Sequence, residues 1–234
     1  PRRSSPARAP AQRPVAPRAL PATSPPVVTT VPPTVTTVTT LPPRPVDPIT
    51  FSVIFDGQSL NGRPRGVDSA PSKLMAGRDI PTSEVWIDGY SWMQLAPTVG
   101  DRIGTFPTVA QVTIAIGIGG TTDYRFFRTG EQVYADMVSW AVNARAAGVD
   151  YVIQTTTTPS SKIVGEAEDN RRAGNALVLA DASHAFDAVV ALAGDPRLSD
   201  VSNTAYYLDG THWTAAAAQV AADLLAVALD ARVG

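Results

Sequence analysis

The chain has 234 residues, no cysteine, 44% hydrophobic residues and a formal net charge of −2. Without cysteine it has neither disulfides nor thiolate metal sites, and no run of about 18 apolar residues is present to span a membrane as a helix. The averages conceal two segments, because residues 1–48 hold 14 of the 21 prolines, eight threonines, six arginines and a single acid, Asp47, with no glycine and no aromatic residue.

Such a stretch buries too little apolar surface to offset its chain entropy, so residues 1–48 are expected to be a disordered or polyproline-like tail or linker. One domain is expected over 49–234, a comfortable size for a single core. The tail carries +5, which leaves −7 on the rest. That mild acidity argues against nucleic acid as a partner. From Val27 to Pro45 the tail reads VVTTVPPTVTTVTTLPPRP and resembles the Thr/Pro stalks that hold extracellular domains away from an actinobacterial surface. This implies an extracellular or cell-surface setting, and the competing reading is a terminal coil without a role. The basic start with Arg2, Arg3, Arg8, Arg13 and Arg18 is expected to be a solvated run, the alternative being contact with an anionic surface. No signal peptide is evident, and a chain opening on Pro1 reads as a piece of something longer.

Beyond the tail, Ile49 to Phe55 is a β-branched and aromatic run ended by Asp56-Gly57, the pattern of a buried strand. Residues 61–84 read as loop with one short helix. Val85-Trp86-Ile87 before Asp88-Gly89 reads as a second strand, and Val109 to Ile118, running into Gly119-Gly120, as a third. Thr129 and Gln132 form a capping-box pattern for a helix to about Ala147, with Val133, Met137, Trp140, Ala141 and Ala144 on its apolar stripe and Gly148 as its stop. Tyr151 to Thr156 reads as the fourth strand. Glu166 to Ala193 reads as one long helix with Val178, Ala182, Phe186, Val189 and Ala193 inward and His184 toward solvent. A last helix is expected over Thr214 to Ala231. Strands alternating with helices predict a parallel sheet covered on both faces, with ligands at the carboxyl ends of its strands.

The chemistry sits at the two ends of this domain. Asp209-Gly210-Thr211-His212 places a carboxylate three residues before one of only two histidines. Asp56-Gly57-Gln58-Ser59 puts a serine on a tight turn after a strand. A nucleophile, an imidazole base and a carboxylate that orients the base are the inventory of a serine hydrolase. The α/β-hydrolase elbow G-x-S-x-G is not satisfied, because Asn61 stands where its second glycine would be. Gly119-Gly120 lacks the lysine or arginine spacing of a phosphate loop. Glu166, Glu168 and Asp169 open a helix, where the dipole favours acids without any metal.

Gly57-Gln58-Ser59-Leu60 with Asp209-x-x-His212 resembles the SGNH (GDSL-like) hydrolase superfamily, in the G-Q-S form common in its sialate O-acetylesterase-like branch. The resemblance covers residues 49–234. It implies a three-layer α/β/α sandwich, flavodoxin-like, with a mainly parallel sheet of about five strands. It implies Ser59 as nucleophile, His212 as base and Asp209 as the orienting acid. The oxyanion hole would be formed by Ser59, Gly89 and Thr122, the last standing at the asparagine of the family's G-x-N-D in Gly120-Thr121-Thr122-Asp123. Trp92 and Trp213 flank these blocks and are candidates for the substrate pocket, with burial in the core as an equal alternative. No metal and no cofactor is implied. The expected substrate is a short acyl ester, such as an O-acetyl group on a surface glycan. Two other readings use the same residues: an O-acyltransferase, and a non-catalytic binding or structural domain of SGNH type on a cell surface or a phage virion.

Overall fold

In the computed structural model, residues 48–62 and 64–233 are described, so the tail expected at 1–48 falls, Pro48 apart, outside the described residues. The first strand, β1 (Phe51–Gly57), is followed by α1 (Ala70–Met75) and β2 (Thr82–Glu84). Two short helices come next, α2 (Trp92–Leu95) and α3 (Val99–Ile103), then β3 (Val112–Ile118) and α4 (Thr121–Arg125). The remainder is α5 (Gly130–Ala146), β4 (Tyr151–Thr155), α6 (Glu166–Ala180), β5 (Ala188–Val190) and α7 (Ala215–Val233).

The five strands form one parallel sheet in the order β2-β1-β3-β4-β5. β1 pairs with β3 from Phe51 opposite Val112 to Gly57 opposite Ile118. Side chains alternate across the sheet as the pleat requires. Val53, Phe55, Ile114, Ile116 and Ile118 pack with α1 and α7, whereas Ile54, Ala115 and Val152 pack with Trp92, Met137 and Trp140 on the opposite face. Both faces are thus buried, which gives the three-layer α/β/α sandwich and explains why β1 and β3 read as continuous apolar runs. Order reverses at β1, where chain neighbours leave to opposite sides, and in doubly wound sheets the ligand crevice opens beyond the strand ends at that point.

The structure differs from expectation in three respects. The second strand lies at Thr82–Glu84 rather than 85–87, although Val85 N–H still donates to Phe55 O (2.9 Å) and Ile87 N–H to Gly57 O (3.0 Å), so the pairing continues past the strand. The long helix expected to reach Ala193 stops at Ala180. Asp181 closes it in a left-handed conformation (φ 34°), and its carboxylate accepts the N–H groups of Ala185 and Phe186 (3.2 and 3.0 Å). No glycine marks this stop. The Ala/Val-rich segment after it supplies β5, and Ala182 is exposed instead of lying on an inward stripe. His184 is exposed as expected, on a turn rather than a helix. Finally, α2, α3 and α4 are too short to show a periodicity and were not expected.

Candidate active site

The turn after β1 depends on backbone approach. Gly57 has φ +128°, and a Cβ on it would lie 2.0 Å from the carbonyl oxygen of Ile118. Only glycine lets the chain bend there while β1 and β3 stay paired. Gln58 N–H donates to Ile118 O (3.0 Å). The Asn61 side chain then ties the turn by donating to Asp56 O (3.1 Å), Gln58 O (3.3 Å) and Ile118 O (3.1 Å). Just beneath, buried Asp56 accepts from Gly57 N–H (2.7 Å) and Trp140 Nε1–H (2.9 Å) and forms an ion pair with Arg102 of α3. Burial pushes the Asp56 carboxyl up, against the pull of Arg102. Ser59 sits half-buried at the tip of this braced turn, and its N–H has no partner among the described residues.

The histidine is brought up by a turn of four residues. Asp209 Oδ1 accepts Thr211 N–H (3.0 Å) and His212 N–H (2.8 Å), while Oδ2 lies 2.8 Å from His212 Nδ1. The turn is fastened to the loop after β4 by Ser161 N–H on Gly210 O (2.8 Å) and by Ser160 Oγ with Thr211 Oγ1 (2.7 Å). His212 Nε2 then stands 3.1 Å from Ser59 Oγ. If Nδ1 carries the proton facing Asp209, Nε2 is the ring nitrogen placed to accept a hydrogen bond from the Ser59 hydroxyl. Partial burial disfavours the Asp209 carboxylate, but the hydrogen bonds from His212 and Thr211 outweigh it and bring the group down to about 2. It is therefore anionic at neutral pH.

Gly89 lies exposed on the turn beyond β2 (φ +74°), and its N–H has no partner among the described residues. Thr122 is buried at the start of α4, and its N–H donates to Gln58 Oε1 (3.2 Å). The residue therefore has its hydroxyl to offer, and that hydroxyl has no partner among the described residues. Ser59, Gly89 and Thr122 all leave the carboxyl end of the sheet, from the neighbouring strands β1, β2 and β3.

Trp92 and Trp213 do not line an open pocket. Both are fully buried, in opposite layers: Trp92 packs on Trp140 (ring centroids 5.2 Å apart) and Trp213 lies in the core under α7. Each follows a polar loop residue and turns its ring inward, where burial of so large a side chain is most favourable. Exposed Met93 and Phe126, four residues after Gly89 and after Thr122 in sequence, line with Ser91, Gln94 and Arg128 a cavity of about 360 Å3. A larger cavity of about 460 Å3, lined by Ile49, Phe51, Ile80 and Val109, sits at the amino end of the strands, away from Ser59. Asn61, Asp56 and Asp123 brace the site through side-chain bonds that nothing in their sequence spacing marks. Asp123 was visible as the last letter of the G-x-N-D block, but its partners come from two distant loops.

A parallel sheet of this order, with a serine after β1 and an Asp-x-x-His turn before the last helix, is the frame of the SGNH (GDSL) hydrolases. No protein-family model matches the sequence, and no curated protein matches it. Solved structures do. The chain is similar to a lipolytic protein of the G-D-S-L family from Veillonella parvula, with 17% identity, TM-score 0.63, and coverage of 78% of this chain and 100% of that one. It is similar to a carbohydrate acetylesterase from Sinorhizobium meliloti, with 15% identity, TM-score 0.62, and coverage of 78% and 99%. It is also similar to an acetyl xylan esterase, with 12% identity, TM-score 0.60, and coverage of 76% and 99%. The protein has the SGNH hydrolase fold.

Proposed function

We propose that this protein is a serine hydrolase of esters, acting through an acyl-Ser59 intermediate. The observation that carries the reading is the hydrogen-bonded chain Ser59 Oγ–His212 Nε2 (3.1 Å) and His212 Nδ1–Asp209 Oδ2 (2.8 Å) at the carboxyl edge of the sheet. His212 takes the Ser59 proton as Oγ attacks the ester carbonyl, and Asp209 stabilises the imidazolium that forms. The tetrahedral oxyanion is held by the N–H groups of Ser59 and Gly89 and the Thr122 hydroxyl. His212 returns the proton to the departing alcohol, and a water activated by His212 then releases the acid from Ser59.

Short acyl groups are the proposed substrates, with O-acetyl groups on a surface glycan as the leading case. The similarity to a carbohydrate acetylesterase and an acetyl xylan esterase supports this choice. The cavity lined by Met93 and Phe126, from α2 and the end of α4, is the proposed seat of the acyl group. The proposed setting is extracellular or on a surface. The test is labelling with a fluorophosphonate and turnover of a p-nitrophenyl acetate or acetylated sugar. Both are expected in the native chain and both should vanish in Ser59→Ala. Turnover that survives Ser59→Ala would remove this site from the reaction.

A further inference from the structure

The buried carboxylate of Asp123 performs no step of the proposed reaction, yet it touches every loop that carries an oxyanion donor. Its Oδ2 accepts Gln58 Nε2–H at 2.9 Å, on the residue next to Ser59. Its Oδ1 and Oδ2 share the backbone N–H of Trp92 at 2.9 and 3.1 Å, three residues past Gly89. Asp123 itself directly follows Thr122 in α4. The Gln58 amide closes the figure, because its Oε1 accepts Thr122 N–H while its Nε2 serves Asp123. A Cβ at Gly119 would lie 3.0 Å from the Gln58 side chain, so the glycine leaves room for that amide to lie flat between the two turns.

We propose that Asp123 is the positioning residue of the oxyanion hole, its ionised carboxylate clamping the Ser59, Gly89 and Thr122 loops in register. The inference rests on Ser59 being the nucleophile. Among the described residues only N–H donors converge on the two oxygens, so the carboxylate fits the site and a carboxylic acid O–H would be turned against a donor. Burial pushes Asp123 up to about 6, against the pull of the Trp92 and Gln58 hydrogen bonds and the charge of Arg128. The clamp therefore closes as the pH rises through about 6.

The charged and titratable groups around it are few. Arg128 is itself paired with Asp136 of α5. Tyr124 follows on α4, and α6, packed on α4, brings Arg171 paired with Glu168. Among the described residues, the Ser59 turn and α2 present to its oxygens only the neutral Gln58 amide and the Trp92 N–H.

The experiment has two arms. In Ser59→Ala protein, the Trp92 backbone amide and the Gln58 side-chain amide are followed by NMR from about pH 8 to about pH 5. They should shift together with a midpoint near 6, and Asp123→Asn should abolish the titration. Amides that stay still, or move with different midpoints, overturn the proposal whether or not the protein is an esterase. If the amides titrate together and the protein lacks Ser59-dependent turnover, the three loops are clamped by Asp123 but the hydrolase reading falls, and the oxyanion-hole role falls with it.

The second arm is kinetic. Asp123→Asn sets a side-chain N–H against Gln58 Nε2–H and should lower kcat about tenfold or more with KM little changed. Adding Gln58→Glu to that variant supplies an acceptor both to the introduced amide and to Thr122 N–H, and should recover most of the loss. A loss carried in KM, or one that Gln58→Glu does not relieve, refutes the positioning role.

Discussion

Replacing Thr122 by valine removes one hydroxyl at nearly constant volume and leaves everything else that Thr122 does in place. Its backbone N–H still donates to Gln58 Oε1, so the start of α4 keeps its tie to the Ser59 turn. The residue is buried, so the lost donor is not replaced freely by bulk water. A hydrogen bond to a charged acceptor contributes about 1.5–3 kcal/mol. At about 1.4 kcal/mol per factor of ten, that predicts a fall in kcat of about ten- to two-hundred-fold. KM should hardly move, because the full negative charge exists only in the transition state. Steady-state rates on p-nitrophenyl acetate, with melting curves to show that the fold is intact, measure the effect. A valine variant with unchanged kcat, or one whose defect lies in KM, would refute the assignment of Thr122 and leave the hole to Ser59 and Gly89.

Asp209→Asn should lower kcat by up to about ten-thousand-fold through loss of the imidazole tautomer and its stabilising charge. Because the Asp209 carboxyl is held at about 2, below its ordinary value, its contribution to stability is present above about pH 4 and lost as the pH falls toward 2. Acid titrations followed by circular dichroism should show a flatter response in the variant. Arg102→Ala strands the buried Asp56 charge and should cost about 3–5 kcal/mol, a fall in Tm of about 6–20 °C. Since burial already favours the protonated Asp56, the loss should shrink as the pH is lowered, which scanning calorimetry at two pH values checks. A chain begun at Ile49 should melt within about 2 °C of the full chain and keep its rate on a small ester, because a Pro/Thr/Arg-rich coil adds no core.

What was legible in the sequence was local or strongly periodic. Asp209 and His212 share one turn, so their spacing alone placed acid beside base, and the rarity of histidine left the serine partner little choice. The capping box at Thr129 and Gln132 and the stripe Val133, Met137, Trp140, Ala141 and Ala144 appear as read, all buried on α5. Where the reading failed, the deciding contact was distant or lacked a marker residue. The stop of α6 depends on an aspartate in a left-handed conformation, and the Ala/Val-rich segment beyond it suits helix and strand equally. Trp92 and Trp213 flank the site in sequence and leave it in space, since ring direction at a loop end is set by the cavity available inward. The role argued for Asp123 exists only once three loops meet.

The acid–base turn has a mechanical consequence. Asp209 and His212 are bound within four residues and anchored at Ser160 and Ser161, directly ahead of α7. Bonded in this way they should respond to strain as one unit, which makes the 3.1 Å between His212 Nε2 and Ser59 Oγ the gap on which the proposed chemistry depends. A slip of that unit by about 1 Å breaks the bond without disturbing the acid–base pair or any strand of the sheet. Such a slip would leave an uncoupled arrangement close in structure to the native one. On warming, loss of activity should precede loss of secondary structure, and tightening the Ser161–Gly210 anchor should bring the two temperatures together.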